Sequence, residues 1–281
     1  MRARCASSPM PVSSEPRDSG CGGADRRLSG LTPATTTAGL FGERLRYTQP
    51  ARGFRSGLEP VLLAAAVPAR PGQRVLEAGC AAGAGLLCLA ARVPSVEGVG
   101  VDCDLGLVRL AEANAAANGL AGLRFAVADV LGGDGDADLA TVAAFGPVHH
   151  AFANPPYHPS SGTPSPDAAR RLAKQAAPGT VAVWTAALAR CVLPKGTVTL
   201  ILPAATLPEA LAAMAAARCA ARALLPLWPR AGREARLVLV QGVRDGRSPF
   251  RIGAGLVLHG PDGFTPAAEA VLRDGAALPM D

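Results

Sequence analysis

Apolar residues fall into two alternating patterns along most of the chain. Short runs break off on a polar or small residue, and between them lie longer stretches in which apolar positions return every three or four residues. The run QRVLEAGC predicts a buried strand over Arg74 to Ala78, then a small-residue turn and the helix AGLLCLAARV. VEGVGVD predicts a second strand ending at Asp102, and LGLVRLAEANAAANG a helix stopped by Asn118-Gly119. LRFAVAD gives a third strand ending at Asp129, and VHHAFAN a fourth ending at Asn154. TVAVWTAALARCVL reads as a helix, GTVTLILP as a fifth strand, and Leu207 to Ala217 as another Ala-rich helix. ARLVLVQGV and GLVLHG supply two more strands before a short helix, Ala267 to Arg273, capped by Thr265-Pro266. Ahead of the first strand, GLEPVLLAAAV predicts a helix entered at Ser56 with Pro60 in its first turn.

Strands alternating with helices imply an α/β domain: a mostly parallel sheet with helices on both faces. The last strands stand too close together for a crossover helix, so an antiparallel C-terminal strand is expected. In an open sheet of this kind, ligands sit outside the carboxyl ends of the strands. The residues at those ends are therefore the first candidates for chemistry.

The first such end is EAGCAAGAG, Glu77 through Gly85, where small residues let a ligand approach the backbone and the next helix presents its N–H groups. A turn of this kind also serves simply to pack helix on strand. Asp102 stands 23 residues after Gly79 and is placed to accept both hydroxyls of a ribose. Together they suit an adenosine-containing cofactor without separating a nicotinamide from a sulfonium donor. Asp129, taken alone, fits a helix cap or loop hydrogen bond equally well.

The fourth end is the informative one. AFANPPYHP, Ala151 to Pro159, follows an apolar strand with an amide, two prolines and an aromatic ring. The prolines cannot donate ladder hydrogen bonds and each fixes φ near −65°, so the strand stops at Asn154 in a stiff loop. Such a loop suits a planar NH₂ group, whose delocalised lone pair makes it a poor nucleophile. Asn154 Oδ1 and the Pro155 carbonyl would each accept one N–H, favouring pyramidal nitrogen, and Pro155 and Pro156 hold those acceptors in place. Tyr157 offers a face on which an unstacked base could lie, worth ~1–3 kcal/mol.

VLEAGCAAGAG, GVGVD, VAD and NPPY, in this order and spacing, resemble a class I S-adenosylmethionine-dependent methyltransferase of the amino-methylating group. The resemblance implies a Rossmann-like fold with a seven-stranded sheet and S-adenosyl-L-methionine as cofactor. Glu77, Gly79, Cys80, Ala81 and Gly83 would then line the donor on the glycine turn. Asp102 and Cys103 would lie at its ribose, Asp129 and Val130 near its adenine, and Asn154 beside its methyl group. Asn154, Pro155, Pro156 and Tyr157 would hold the acceptor. YTQPARGFRSGLEPVLLAAAVPA, FANPPYHP, PLWPR and GLVLHGPDGFTPAAEAVLRDGAAL are similar to the N6-adenine methyltransferase family that modifies tRNA(Val) beside the anticodon. The similarity runs from about Thr35 to the C-terminus and implies tRNA as partner. Ala81 departs from the usual central glycine, Glu59 from a more frequent aspartate, and His149 from a position commonly acidic.

Composition narrows the setting. No run among the 281 residues approaches the ~18 apolar positions of a membrane span. The opening MRARCASSPMPVSSEPRDSG is basic but lacks the apolar core of a secretory signal. Residues 1–34 are expected to be a disordered tail, with the domain over 35–281. Cys5, Cys21, Cys80, Cys88, Cys103, Cys191 and Cys219 are odd in number and contain no C-x-x-C pair, which suits reduced cytoplasmic thiols rather than disulfides or zinc. His149, His150, His158 and His259 supply no convergent ligand set, so no metal is expected.

The net charge of +6 suits a polyanionic partner. Arginine dominates the basic residues, with Lys174 and Lys195 the only lysines, so base composition of the coding DNA competes as an explanation. Two local excesses are more pointed. Arg218, Arg222, Arg230, Arg233, Arg236, Arg244, Arg247 and Arg251 stand against Glu234 and Asp245, while Arg44, Arg46, Arg52 and Arg55 surround Tyr47 and Phe54. Trp228 fits either RNA stacking or packing beside a strand.

Other activities share parts of this pattern. Glutamine N5-methyltransferases of translation factors carry NPPY, but usually behind a helical domain for which the segment before Arg74 is too short. A DNA adenine N6-methyltransferase would need a separate base-recognition domain, and none is evident. A nicotinamide-dependent dehydrogenase would leave NPPY unused and lacks an acid–base pair. The intact Asn154–Tyr157 stretch argues against a non-catalytic RNA-binding protein.

Overall fold

The computed structural model describes residues 34–52, 56–130, 140–156, 158–159, 175–176 and 179–280. The expected tail, up to residue 33, lies outside the described residues, as does Tyr157. The described part opens with a hairpin, β1 (Thr35–Leu40) and β2 (Leu45–Pro50), paired antiparallel from Thr35↔Pro50 to Leu40↔Leu45. Helix α1 (Glu59–Ala66) follows, with Pro60 in its first turn, where a missing N–H costs nothing. It starts three residues after the Ser56 expected to open it.

The strand–helix alternation then runs β3 (Arg74–Ala78), α2 (Ala84–Arg92), β4 (Glu97–Asp102), α3 (Leu105–Ala117) and β5 (Leu123–Val127). It continues through α4 (Ala140–Phe145), β6 (Val148–Ala153), the short pair β7 (His158–Pro159) and β8 (Gln175–Ala176), α5 (Thr180–Cys191) and β9 (Val192–Pro203). Helix α6 (Leu207–Ala216), β10 (Cys219–Arg230), β11 (Leu237–Arg244), β12 (Arg251–Ile252), β13 (Leu256–His259) and α7 (Pro266–Leu272) complete it. Thr265 caps α7, its hydroxyl accepting the Ala268 N–H at 3.2 Å.

Across the sheet the order is β12-β10-β11-β9-β6-β3-β4-β5, with β13 also beside β10. β5, β4, β3, β6 and β9 are parallel, and among the described strands of this sheet only β11 runs against the rest. The expected seven-stranded core is present, widened by two short edge strands. Two details differ from the sequence expectation. β10 was not foreseen, because Pro226 and Pro229 interrupt its apolar run and arginines punctuate it. The antiparallel member is β11, sandwiched between β9 and β10, and GLVLHG is a parallel edge strand.

Alternation along β3 shows how the sheet is covered. Val75 packs in one apolar layer with Leu62, Leu86, Leu87 and Val271 of α1, α2 and α7. Leu76 and Ala78 pack in the other with Val181, Leu188 and Met214 of α5 and α6. Each large side chain so buried stabilises the fold by about 1.5–3 kcal/mol before entropy is counted. Among the described residues, no helix is long and apolar enough to cross a membrane.

Candidate active site

The carboxyl end of β3 enters a turn that only unusual backbone angles allow. Gly79, Ala81 and Gly83 all have positive φ, at +68°, +47° and +87°. A Cβ on Gly83 would press on Ala111 at 3.1 Å and on Phe125 at 3.2 Å, so α2 and α3 meet there because the side chain is missing. The Gly79 and Cys80 N–H groups both donate to the Val101 carbonyl, at 2.8 and 3.0 Å, stitching the turn to β4.

Asp102, at the end of β4, organises the rim. Its Oδ2 accepts the Ala81 N–H at 2.9 Å and its Oδ1 the Asp104 N–H at 3.0 Å. Burial raises this carboxyl above its ordinary range, and the two N–H donors oppose that shift. Asp104 in turn caps α3, accepting from Gly106 at 2.7 Å and Leu107 at 3.2 Å. The Cys103 thiol is pushed up to about 11, by partial desolvation first and then by the charges of Asp102, Asp129 and Asp104. Asp129 is exposed and Val130 buried. The Ala128 N–H donates to the Asp102 carbonyl at 3.0 Å, which holds the end of β5 beside that of β4.

Glu77 faces inward. It is 5% exposed, and its Oε2 accepts the Leu86 N–H at 2.9 Å, so the carboxyl sits over the first turn of α2 against Gly85. Burial pushes its pKa up to about 8, with the Leu86 N–H working against the shift and the Asp102 charge adding to it. The Cys80 and Cys88 thiols are buried beside it and pushed up by burial and by its charge.

Asn154 stands beside the glycine turn. Ala78 pairs with Ala153 across β3 and β6, so Gly79 and Asn154 leave the sheet as neighbours. Asn154 Oδ1 is buried and accepts no hydrogen bond. Pro155 is buried and Pro156 half-buried, and Tyr157 falls outside the described residues. The structure thus gathers Glu77, Gly79, Cys80, Ala81, Gly83, Asp102, Cys103, Asp129, Val130 and Asn154 at the carboxyl edge of the parallel strands.

Three contributors to this edge were not singled out from the sequence. Asn114 of α3 is 2% exposed, accepts the Thr48 N–H at 2.9 Å, and donates to the Thr48 carbonyl at 2.8 Å and the Ala82 carbonyl at 3.0 Å. One turn along, Asn118 treats Arg46 in the same way, at 2.9 and 2.7 Å. The pair grips β2 as a neighbouring strand would and ties the hairpin to the glycine turn. The signal lay in two asparagines four residues apart on an otherwise Ala-rich helix. The third is Trp184, whose ring lies on Gly79; it resembled any core residue of α5.

Other candidates lie elsewhere. His150 bonds Thr197 Oγ1 at 2.8 Å and Gln73 Oε1 at 3.0 Å near the amino end of β6, and burial pulls its pKa down to about 4. His149 Nδ1 accepts the Arg74 N–H at 3.1 Å, at that same edge. Trp228 donates to the Ala254 carbonyl at 3.2 Å and packs on Gly255. The eight-arginine excess divides in two. Arg230, Arg233 and Arg236 lie on the β10–β11 connection, which the pair Leu237↔Pro203 places at the carboxyl edge of β9. Arg218 and Arg244 lie at the opposite edge. Arg218 pairs with Asp245 at 2.7 Å, and Arg244 donates to the Ala189, Arg190 and Val192 carbonyls.

Residues 75–158 match the family model described as a methyltransferase domain. Among solved structures, the chain is similar to a predicted O-methyltransferase, protein Atu636 from Agrobacterium tumefaciens. The two are 23% identical over 79% of this chain and 98% of that one, with a TM-score of 0.61. It is also similar to TrmN from Thermus thermophilus, at 23% identity over 63% of this chain and 46% of that one, TM-score 0.42. A third similarity is to a TehB-like SAM-dependent methyltransferase from Corynebacterium glutamicum, at 13% identity over 63% and 83%, TM-score 0.41. No curated protein matches in sequence. The fold is Rossmann-like, and residues 75–158 resemble a methyltransferase domain.

Proposed function

We propose that the protein methylates the N6 amine of an adenine in tRNA, and by family resemblance the adenine beside the anticodon of tRNA(Val). One observation carries this reading furthest: Asn154 Oδ1, buried and without a hydrogen-bond donor, where β6 leaves the sheet beside Gly79. A buried amide oxygen left unpaired costs about 1–3 kcal/mol, and an amine hydrogen removes that cost.

The residues present suit the donor. Small residues at Gly79, Ala81 and Gly83 keep bulky side chains off the turn, and Asp102 holds its carboxylate at the end of β4 with lone pairs beyond those given to Ala81 and Asp104. Glu77 and Asn114 brace the turn from beneath. When bound, S-adenosylmethionine would supply an electrophilic sulfonium methyl, which the amine nitrogen would receive. Asn154 Oδ1 and the Pro155 carbonyl each accept one amine N–H, which bends the nitrogen out of plane and turns its lone pair toward the donor. Pro155 and Pro156 keep these acceptors from rearranging, so their orientation needs no adjustment during transfer. The methylated nitrogen then releases one proton to water, and no strong general base is required. Tyr157 is assigned to stack on the extruded base.

Arg230, Arg233 and Arg236, all exposed on the same edge as Asn154, supply positive charge where an RNA backbone would pass. The five free cysteines among the described residues accord with a cytoplasmic setting. The test is incubation with methyl-labelled S-adenosylmethionine and total tRNA, followed by hydrolysis to nucleosides. Label in N6-methyladenosine is expected; label in a protein glutamine instead would replace this reading.

A further inference from the structure

Trp228 and Arg230 occupy one face of β10, and the parallel register Trp228↔Val257 and Arg230↔His259 sets Val257 and His259 on the same face of β13. The opposite face is closed: Leu227 and Leu256, themselves a pair, are 1% and 5% exposed. On the first face burial gives out toward the carboxyl edge. Leu224 and Pro226 are buried, Trp228, Val257 and His259 are half-buried, and Arg230 is exposed. Both rings on this face are held in place. Trp228 Nε1–H donates to the Ala254 carbonyl at 3.2 Å. His259 stacks on Phe264, with centroids 4.8 Å apart and planes 23° from parallel, across a turn closed by the Gly260 N–H on the Gly263 carbonyl at 2.8 Å. Phe264 packs in turn against the apolar layer that contains Leu256 and Val271. Among the described residues the His259 imidazole has this stack and no hydrogen bond.

Rings fixed in advance lose little side-chain freedom when a ligand stacks on them. This face also lies on the same edge of the sheet as Asn154. β10 runs parallel to β9 and β6, and three strand spacings, about 14 Å, separate β10 from β6. A short stretch of single-stranded RNA spans that interval. An arginine beside ordered aromatic rings meets both things such a strand presents, a charged phosphate and the flat face of a base. We propose that the Trp228–His259 face takes a nucleotide flanking the methylated adenine, with its phosphate at Arg230 and its base stacked on His259. The proposal rests on the tRNA reading and adds a second point of recognition to it. An acidic protein segment would meet Arg230 but leave the ordered rings without a role.

The test uses the full chain with S-adenosylhomocysteine and a synthetic anticodon arm of tRNA(Val), in which each loop nucleotide other than the target adenine is made abasic in turn. One abasic position should weaken wild-type binding about tenfold. His259→Ala should weaken binding of the intact arm by a similar factor and show no further loss at that position, with S-adenosylhomocysteine affinity within about twofold of wild type. His259→Phe, which keeps a flat ring, should retain most of the binding. Arg230→Ala should lower the slope of log affinity against log salt by about one. Equal losses for wild type and His259→Ala at every abasic position would overturn the assignment. So would a His259→Phe protein that binds as weakly as His259→Ala, or an Arg230→Ala slope equal to that of the wild type. A wild type that transfers no methyl group to the intact arm would instead overturn the tRNA(Val) reading, and the assignment with it.

Discussion

Ala81 donates its backbone N–H to Asp102 Oδ2 at 2.9 Å from a left-handed conformation, φ +47°. That angle costs an alanine about 1–2 kcal/mol, which glycine would not incur, although glycine loses more chain entropy on folding. Ala81→Gly should therefore stabilise the protein slightly, by about 0.5–1 kcal/mol, and raise Tm by ~2 °C. S-adenosylhomocysteine affinity should hold within about twofold, because the N–H to Asp102 is kept. A lowered Tm in a calorimetric scan would show that the methyl group packs better than its backbone angle suggests.

Asn114 links three parts of the molecule with one amide. Asn114→Ala leaves the Thr48 N–H and two carbonyls without their partners, a loss of about 2–4 kcal/mol. Urea unfolding should register it. Donor affinity should fall as well, since the Ala82 carbonyl belongs to the glycine turn. Asn114→Asp keeps the acceptor for Thr48 N–H but loses both donations, and an intermediate effect is expected.

Glu77 makes stability depend on pH. Its folded-state pKa of about 8 lies above the ordinary 4.5, so between these values the folded protein retains a proton that the unfolded chain releases. The contribution is complete below the lower value and is lost as pH rises through the upper one. Unfolding free energy should drop by a few kcal/mol between about pH 5 and about pH 9. Glu77→Gln, which retains an acceptor for Leu86 N–H, should flatten that slope. An unchanged slope would assign the effect to another group.

Much of the site could be read from the chain because the sheet is buried on both faces. Apolar runs stop where the backbone emerges, and Glu77, Asp102, Asp129 and Asn154 stand at those stops. Other parts were hidden for physical reasons. β1 is almost wholly exposed, so its residues carry no apolar alternation, and it is held by pairing with β2, which Asn114 and Asn118 grip in turn. β10 tolerates Pro226 and Pro229 beside its short edge partners, where few ladder bonds are lost. Trp184 gave no sign of its contact with Gly79, because an aromatic among alanines on a helix reads as core. The arginine excess looked like one patch in the sequence; antiparallel pairing of β10 and β11 sends its middle, Arg230 to Arg236, to one edge of the sheet and brings Arg218 and Arg244 together at the other.

That division predicts unequal roles for the arginines. Replacing Arg230, Arg233 and Arg236 with alanine should weaken tRNA binding and lower the slope of log affinity against log salt by about one for each arginine that meets a phosphate. The same change at Arg222, Arg247 and Arg251 should leave the slope unaltered. Filter binding across a salt series separates the two. Equal losses from both sets would mean that RNA covers both edges.

Asn154 provides the sharpest trial of the whole account. With Asn154→Ala, methyl transfer to tRNA and S-adenosylhomocysteine affinity are measured on the same preparation. Transfer should fall by about a hundredfold or more, while affinity stays within about threefold, since Asp102 and the glycine turn are untouched. Transfer that persists, or affinity that falls in step with it, would contradict a catalytic corner built around the Asn154 amide.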